Sequence, residues 1–486
     1  MTEQPLVDLV PELNTIPADV KNIHLMGICG TAMAALAGML KQLGYTITGS
    51  DSQVYPPMSD FLNQIGITPL SGYRPDNLIH RPDLVIVGNV ITRKNPEAQA
   101  LATEKIPYIS MPQALRHFFI DSRISLVVAG THGKTTTSSM LASALYTADA
   151  DPTFMIGGIV NEFNSNYRIG SGPYFVAEGD EYDTAFFNKV SKFLHYRPQV
   201  AVITSLEFDH ADIFNSLEDI KKSFRKFVSL LPVTGLIVAN GEDEDVREIL
   251  VDSPCPVVSY GTTSGCDYRI KNPVFAPHTT YFSLNYKKSH FCNLKLQLPG
   301  LHNCMNATAA AAVMHHLGFN KEQIMAGLDT FRGVKRRQEI LGIVDDITVI
   351  DDFAHHPTAV RETLTALKRS YPENRLIAVF EPRTNTSRRA VFQKDYSGSF
   401  DNADLSIICH PPALKNSQDG DHFSSRQLAE DLNRRNNHAV DFADSDSILD
   451  FLEKEARSGD IIALLSNGGF DNIHNRLLER LRKRSG

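Results

Sequence analysis

VVAGTHGKTTTSSM (residues 127–140) runs from apolar residues through a tight glycine turn into a helix-forming tail. A strand that meets a helix N-terminus through such a turn aims backbone N–H groups and the positive end of the helix dipole at one point, a ready anion site. The usual phosphate loop places four residues between its first glycine and Gly-Lys-Ser/Thr. Here only Thr131 and His132 separate Gly130 from Gly133, and the place of the usual first glycine falls on Val128, inside the apolar run. The compressed turn still carries Lys134, a cation that can reach terminal phosphates, and two hydroxyls, Thr135 and Thr136, suited to Mg²⁺. The alternative is a plain strand-to-helix turn with a surface lysine.

Similar apolar runs stand on either side. They are NIHLMGI (22–28), DLVIVGN (83–89), YFVAEGD (174–180), VAVITSL (200–206), GLIVAN (235–240), ITVIDDF (347–353), RLIAVFEP (375–382), LSIICHP (405–411) and IIALLSNGG (461–469). Runs that are apolar throughout read as strands buried on both faces. Helix-like segments such as AMAALAGMLKQLG separate most of them, which predicts βαβ units and an α/β fold of parallel sheets. At 486 residues, three domains are expected. The boundaries fall near RHFFIDSRIS (116–125) and GVKRRQEILGIVDD (333–346), giving domains of 1–122, 123–334 and 335–486. Between about 254 and 300, short alternating segments with GTTSG and LPG turns predict a small antiparallel β subsheet in the middle domain.

Two acidic clusters follow apolar runs of that middle domain. FVAEGDEYDTAFF (175–187) holds Glu178, Asp180, Glu181 and Asp183, and TSLEFDHADIF (204–214) holds Glu207, Asp209, His210 and Asp212. Alone, the first reads better as a solvated acidic turn, and in the second a lone histidine is usually structural, since Mg²⁺ prefers oxygen to imidazole. Strand ends of one parallel sheet converge, so with the glycine turn they assemble a Mg²⁺-nucleotide site suited to phosphoryl transfer.

The outer domains carry further turns. HLMGICGTAMAALA (24–37) has the first half of a dinucleotide fingerprint in Gly27 and Gly30, with Met33 replacing the third glycine, and ITGSD (47–51) follows at the distance of a ribose-binding acid. A turn that only packs strand on helix explains it as well. FEPRTNTSRR (380–389) offers Arg383 at a strand end, able to hold a carboxylate bidentately. In VIDDFAHHPTA (349–359), His355 and His356 read as a metal pair or as a helix start, and the His and Asn of GLHNCMNATAAAAV (300–313) read as helix caps.

Composition narrows the classes. Net charge is −8, against a general nucleic-acid binder. Six scattered cysteines with no C-x-x-C pair fit reduced thiols in the cytoplasm. MTEQPLVDLVPELN lacks the features of a secretory signal, and no apolar stretch reaches membrane-spanning length.

Together, AGTHGKTTT, EGDEYD, EFDHADIF, HNCMNA and DDFAHHPTA resemble the Mur ligase family, ATP-dependent amide-forming enzymes of peptidoglycan synthesis, from about residue 22 to 475. The family's own loop is the compressed form. The resemblance implies N- and C-terminal Rossmann-like domains flanking a central P-loop-type ATPase domain. It implies ATP held by Gly130, Thr131, His132, Gly133, Lys134, Thr135 and Thr136, with His302 and Asn306 on the adenine side and Arg337 and Asp352 near phosphates and ribose. Mg²⁺ would sit on Thr135, Glu178 and His210, and Lys134, Glu178 and His210 would carry the chemistry. Gly27, Cys29, Gly30, Thr31, Ser50, Asp51 and Asn89 would cradle UDP-N-acetylmuramate, and Arg383, Asn385, Ser466 and Asn467 a peptide acceptor. Where relatives that add L-alanine carry a basic His-Arg-Tyr-Thr-Arg run, this chain reads Arg383-Thr384-Asn385-Thr386-Ser387. That departure favours a different acceptor, and the resemblance, carried further by DSQVYPPMSD, GNVITRKNP, EPRTNT and SNGGFDNIH, implies ligation of UDP-N-acetylmuramate to the recycled tripeptide L-alanyl-γ-D-glutamyl-meso-diaminopimelate, with L-alanine as the alternative acceptor. A nucleotide-dependent dehydrogenase and a non-catalytic nucleotide-gated regulator are the readings from other classes.

Overall fold

Each of these apolar runs contains a strand, because helices cover both faces of a parallel sheet and bury its strands on both sides. The structure, a computed structural model, describes residues 6–209, 213–383, 387–411 and 422–485. Its strands form three large sheets and one short hairpin.

The first sheet is parallel throughout, in the order Leu70–Ser71, Thr46–Asp51, Asn22–Met26, Leu84–Val87, Tyr108–Ser110. Helix Thr31–Gln42 follows its central strand and leans on the middle domain. Gly38 permits that approach: a Cβ there would stand 2.3 Å from the Tyr167 hydroxyl.

The central sheet has ten strands. Ile124–Ala129 lies in its interior, between Val200–Ile203 on one side and Tyr174–Gly179 on the other, both parallel to it. This adjacency brings the glycine turn and the two acidic clusters to one edge. The antiparallel strands Tyr268–Ala276, Thr279–Tyr286 and Ser289–Leu296 continue this sheet beyond the parallel strand Val257–Gly261. Helix Leu301–His316 packs on helix Lys134–Thr147, and the buried Ala307–Ala312 stretch keeps the two close. Each fully buried phenylalanine, such as Phe175 or Phe380, contributes about 1.5–3 kcal/mol.

The third sheet runs Glu339–Val344, Ile347–Asp352, Ile461–Leu465, Leu376–Phe380, Leu405–Cys409, His438–Phe442; its first pair is antiparallel and the rest are parallel. The ends of its three middle strands put Asp352, Ser466 and Glu381 side by side. This domain docks on the central one. Lys335 N–H donates to Ile159 O at 2.9 Å, Phe208 packs against the cores of both, and Arg369 lies 5.8 Å from the Phe275 ring centre. Among the described residues no helix is long and apolar enough to cross a membrane, and all six cysteines are free.

Candidate functional site

The turn after Ile124–Ala129 needs its glycines. Gly130 and Gly133 have φ of +133° and +79°, and an added Cβ would stand 2.1 Å from Thr204 Oγ1 and 2.7 Å from Asn306 Oδ1 respectively. The neighbouring strand end pins the turn. Thr131 N–H donates to Ser205 O at 2.8 Å, His132 N–H to Ser205 Oγ at 3.1 Å, and the Thr204 hydroxyl to His132 O at 2.5 Å. Gly133 caps helix Lys134–Thr147, so the first-turn amides open toward the turn.

Lys134 Nζ donates to Gly130 O at 2.6 Å and to Glu181 Oε2 at 3.0 Å, and the Glu181 side chain is 3% exposed. Burial works against the ammonium, but the carboxylates of Glu181, Asp180 and Glu178 outweigh it and hold its pKa above the usual value. Thr135 Oγ1 donates to Glu178 Oε1 at 2.9 Å, Gly157 N–H fixes Glu178 Oε2 at 2.7 Å, and Arg337 Nη2 reaches Thr135 Oγ1 at 3.4 Å. A hydroxyl beside a carboxylate is a donor set suited to Mg²⁺. Thr136 is buried in the first turn of the helix. His210 lies outside the described residues.

His302 and Asn306 lie inside helix Leu301–His316, whose N-cap, Gly300, makes no side-chain cap; the expectation of simple capping therefore fails. Asn306 Oδ1 accepts from the Thr137 hydroxyl at 3.1 Å. Burial, then the Arg337 charge, drives the His302 pKa down to about 4, and its Nδ1 is buried without a partner. His302 is thus neutral at pH 7. Its folded pKa lies below the unfolded value, so its contribution to stability is complete above about pH 6.5 and falls as the pH drops toward 4. Between pH 7 and 5, the wild type should lose more in Tm than His302→Gln; equal losses would contradict the burial of a neutral ring.

Asp352 is buried, and its oxygens accept from Gln338 N–H and Ala354 N–H, both at 2.8 Å, and from Thr363 at 3.3 Å. Burial raises its pKa. It orders the segment carrying Arg337, whose guanidinium lies 4.9 Å from the Phe353 ring centre.

A second constellation was only partly legible. Glu207 Oε2 takes the His132 imidazole at 3.1 Å and the Thr358 hydroxyl at 2.8 Å, with His356 Nδ1 at 3.5 Å. Burial alone would raise the Glu207 pKa; the hydrogen bond from His132 leads the groups that bring it down to about 2. His356 is the N-cap of helix Pro357–Ser370, so the helix-start reading holds, yet it also joins this cluster. Thr358 was absent from the expected site, and Glu181, read there as one of an acidic cluster, instead pairs with Lys134; each depends on a contact between distant segments.

In the first domain, Gly27 N–H and Ile28 N–H both donate to Ser50 O, at 2.8 and 3.1 Å, and Cys29 N–H donates to Asp51 Oδ2 at 3.0 Å. Burial, then Asp51, pushes the Cys29 thiol up to about 11. The Ser50 hydroxyl points inward, to Glu97 Oε1 at 2.8 Å. Glu97 also takes His24 Nε2 and Asn77 Nδ2, each at 2.7 Å. Gly30, Thr31 and Asn89 are exposed along the turn's rim.

In the third domain, Arg383 lies over Gly468, where a Cβ would stand 1.9 Å from its Cδ, and donates to Glu381 Oε1 at 3.1 Å. The Ser466 hydroxyl is buried on Glu381 Oε2 at 2.5 Å, and Asn467 Oδ1 is buried without a partner. Asn385 lies outside the described residues.

Residues 22–123 match the Mur ligase family, catalytic domain; 128–314 match the Mur ligase middle domain; and 336–468 match the Mur ligase, glutamate ligase domain. A UDP-N-acetylmuramate–L-alanyl-γ-D-glutamyl-meso-2,6-diaminoheptandioate ligase of Haemophilus influenzae is 38% identical, covering 95% of this chain and 100% of that one. A UDP-N-acetylmuramate–L-alanine ligase of Clostridium tetani is 34% identical over 92% of this chain and 96% of its own. Among solved structures, a murein peptide ligase from Psychrobacter arcticus superposes with a TM-score of 0.69 at 34% identity, covering 95% of this chain and 99% of that one.

Proposed function

This chain belongs to the Mur ligase family of ATP-dependent amide-bond-forming ligases, and from that premise we propose that it joins UDP-N-acetylmuramate to L-alanyl-γ-D-glutamyl-meso-diaminopimelate. The observation that carries the acceptor choice is the full-length likeness to ligases of that tripeptide, at 38% identity over 95% of this chain.

The reaction has two steps. The muramoyl carboxylate takes the γ-phosphoryl group of ATP, releasing ADP and leaving an acyl phosphate. The alanine amine then attacks the acyl carbon, loses a proton, and expels inorganic phosphate as the amide forms. Gly130, Thr131, His132, Gly133 and the first-turn amides hold the phosphates, and Lys134 turns its ammonium from Glu181 toward them. Thr135 and Glu178, with His210, would hold Mg²⁺, which when bound neutralises charge on the transferring group. His302 and Asn306 face the base, and Arg337, ordered by Asp352, faces phosphate and ribose. The turns at Gly27–Thr31, Ser50–Asp51 and Asn89 receive the UDP-sugar. Arg383 and Asn467, with Asn385, receive the peptide, while the buried Ser466 hydroxyl holds Glu381 rather than the substrate. ATP and a UDP-sugar as substrates support a cytoplasmic reaction.

Phosphate release with ATP, Mg²⁺ and UDP-N-acetylmuramate distinguishes the acceptors. The tripeptide should support release about tenfold faster than free L-alanine or better, because binding energy of the distal residues is used at the reacting centre. Faster release with L-alanine would move the chain to the alanine-adding branch.

A further inference from the structure

We propose that His132, Glu207 and His356 form a binding site for a divalent first-row transition ion, separate from the Thr135–Glu178 oxygen pair. One ligand atom from each residue lies within 4.8 Å of the other two. Glu207 Oε2 stands 3.1 Å from His132 Nε2 and 3.5 Å from His356 Nδ1. Donors bound about 2.1 Å from one tetrahedral ion stand about 3.4 Å apart, so both edges through Glu207 already have that spacing. The two imidazoles flank the carboxylate with ring centres 4.7 Å apart.

His356 is only 6% exposed, and its Nδ1, the nitrogen that faces Glu207, accepts the Thr358 N–H at 3.3 Å, so the ring is held with that lone pair turned toward the cluster. A bound ion would take the place of that helix-cap bond.

The donor set selects the ion. Two imidazoles and one carboxylate suit Mn²⁺, Co²⁺ or Zn²⁺, whereas Mg²⁺ prefers oxygen. The side chains of His132 and Glu207 are 23% and 35% exposed, so an ion there would be reached from solvent and keep an open position. His132 belongs to the phosphate loop and His356 to the third domain, so the ion would tie the two together.

The test uses the full chain, stripped with chelator and free of nucleotide, titrated with Co²⁺ and followed by its visible d–d absorption. Calorimetry with Zn²⁺ provides the stoichiometry. The expected result is one ion per chain, with His132→Gln and His356→Gln each weakening binding at least tenfold. Glu178→Gln and His210→Gln should leave it within about twofold. Thermal melts confirm that each variant folds, and the partly exposed His132 makes its variant the safer of the two. The proposal is overturned if the wild type takes up no Co²⁺, if both histidine variants bind as the wild type does, or if His210→Gln alone removes the ion.

Discussion

Lys134→Ala should lower kcat about 10³-fold while leaving UDP-N-acetylmuramate affinity within about twofold. Phosphoryl transfer depends almost wholly on positioning and charge neutralisation, and removing one preorganised cation from such a site costs 10²–10⁵-fold. The lysine is the cation nearest the turn, anchored on Gly130 O and held charged by three carboxylates. Its loss also leaves Glu181 without its lysine in a nearly closed environment. Lys134→Ala combined with Glu181→Gln separates the two effects. The pair should recover Tm but not turnover, whereas recovered turnover would mean that Lys134 serves only to neutralise Glu181. Affinity for the UDP-sugar, measured by calorimetry, should not follow kcat, because the first-domain turns belong to a different sheet.

Glu97→Ala carries the largest expected cost in stability, about 3–5 kcal/mol. Its carboxyl is fully buried and takes hydrogen bonds from His24, Ser50 and Asn77, so truncation orphans three polar groups at about 1–3 kcal/mol each, less what water recovers. Glu97→Gln keeps the shape and some of the bonds and should cost about 1–2 kcal/mol. Urea unfolding of both variants gives the comparison. The same network holds the Ser50 carbonyl that receives Gly27 N–H and Ile28 N–H. Glu97→Gln should therefore also weaken UDP-N-acetylmuramate binding. Full affinity in a destabilised Glu97→Gln would separate the network from the turn.

The parts of the fold that could be read from sequence were those with one physical cause. Val200–Ile203 and Ile461–Leu465 are apolar throughout because both faces of their sheets are covered, and such runs stand out. Thr46–Asp51 and His438–Phe442 have exposed or half-exposed residues and look like loops until their neighbours are known. The convergence of the glycine turn with Glu178 and Glu207 followed from strand ends in one parallel sheet. The Glu207–Thr358 and His24–Glu97 contacts had no such signal. They join segments 151 and 73 residues apart, and no local spacing encodes which buried polar groups will meet.

The order of strands in the third sheet has a consequence for biosynthesis. Ile461–Leu465 is the last of its strands to leave the ribosome, yet it lies between Ile347–Asp352 and Leu376–Phe380. The three strands made between residues 376 and 442 and the pair before them cannot be joined until that strand arrives. The nascent domain therefore waits through translation of more than a hundred residues with an open seam, a period in which chaperones have most to do. A premature stop codon before residue 461 would remove the middle of the sheet rather than its edge.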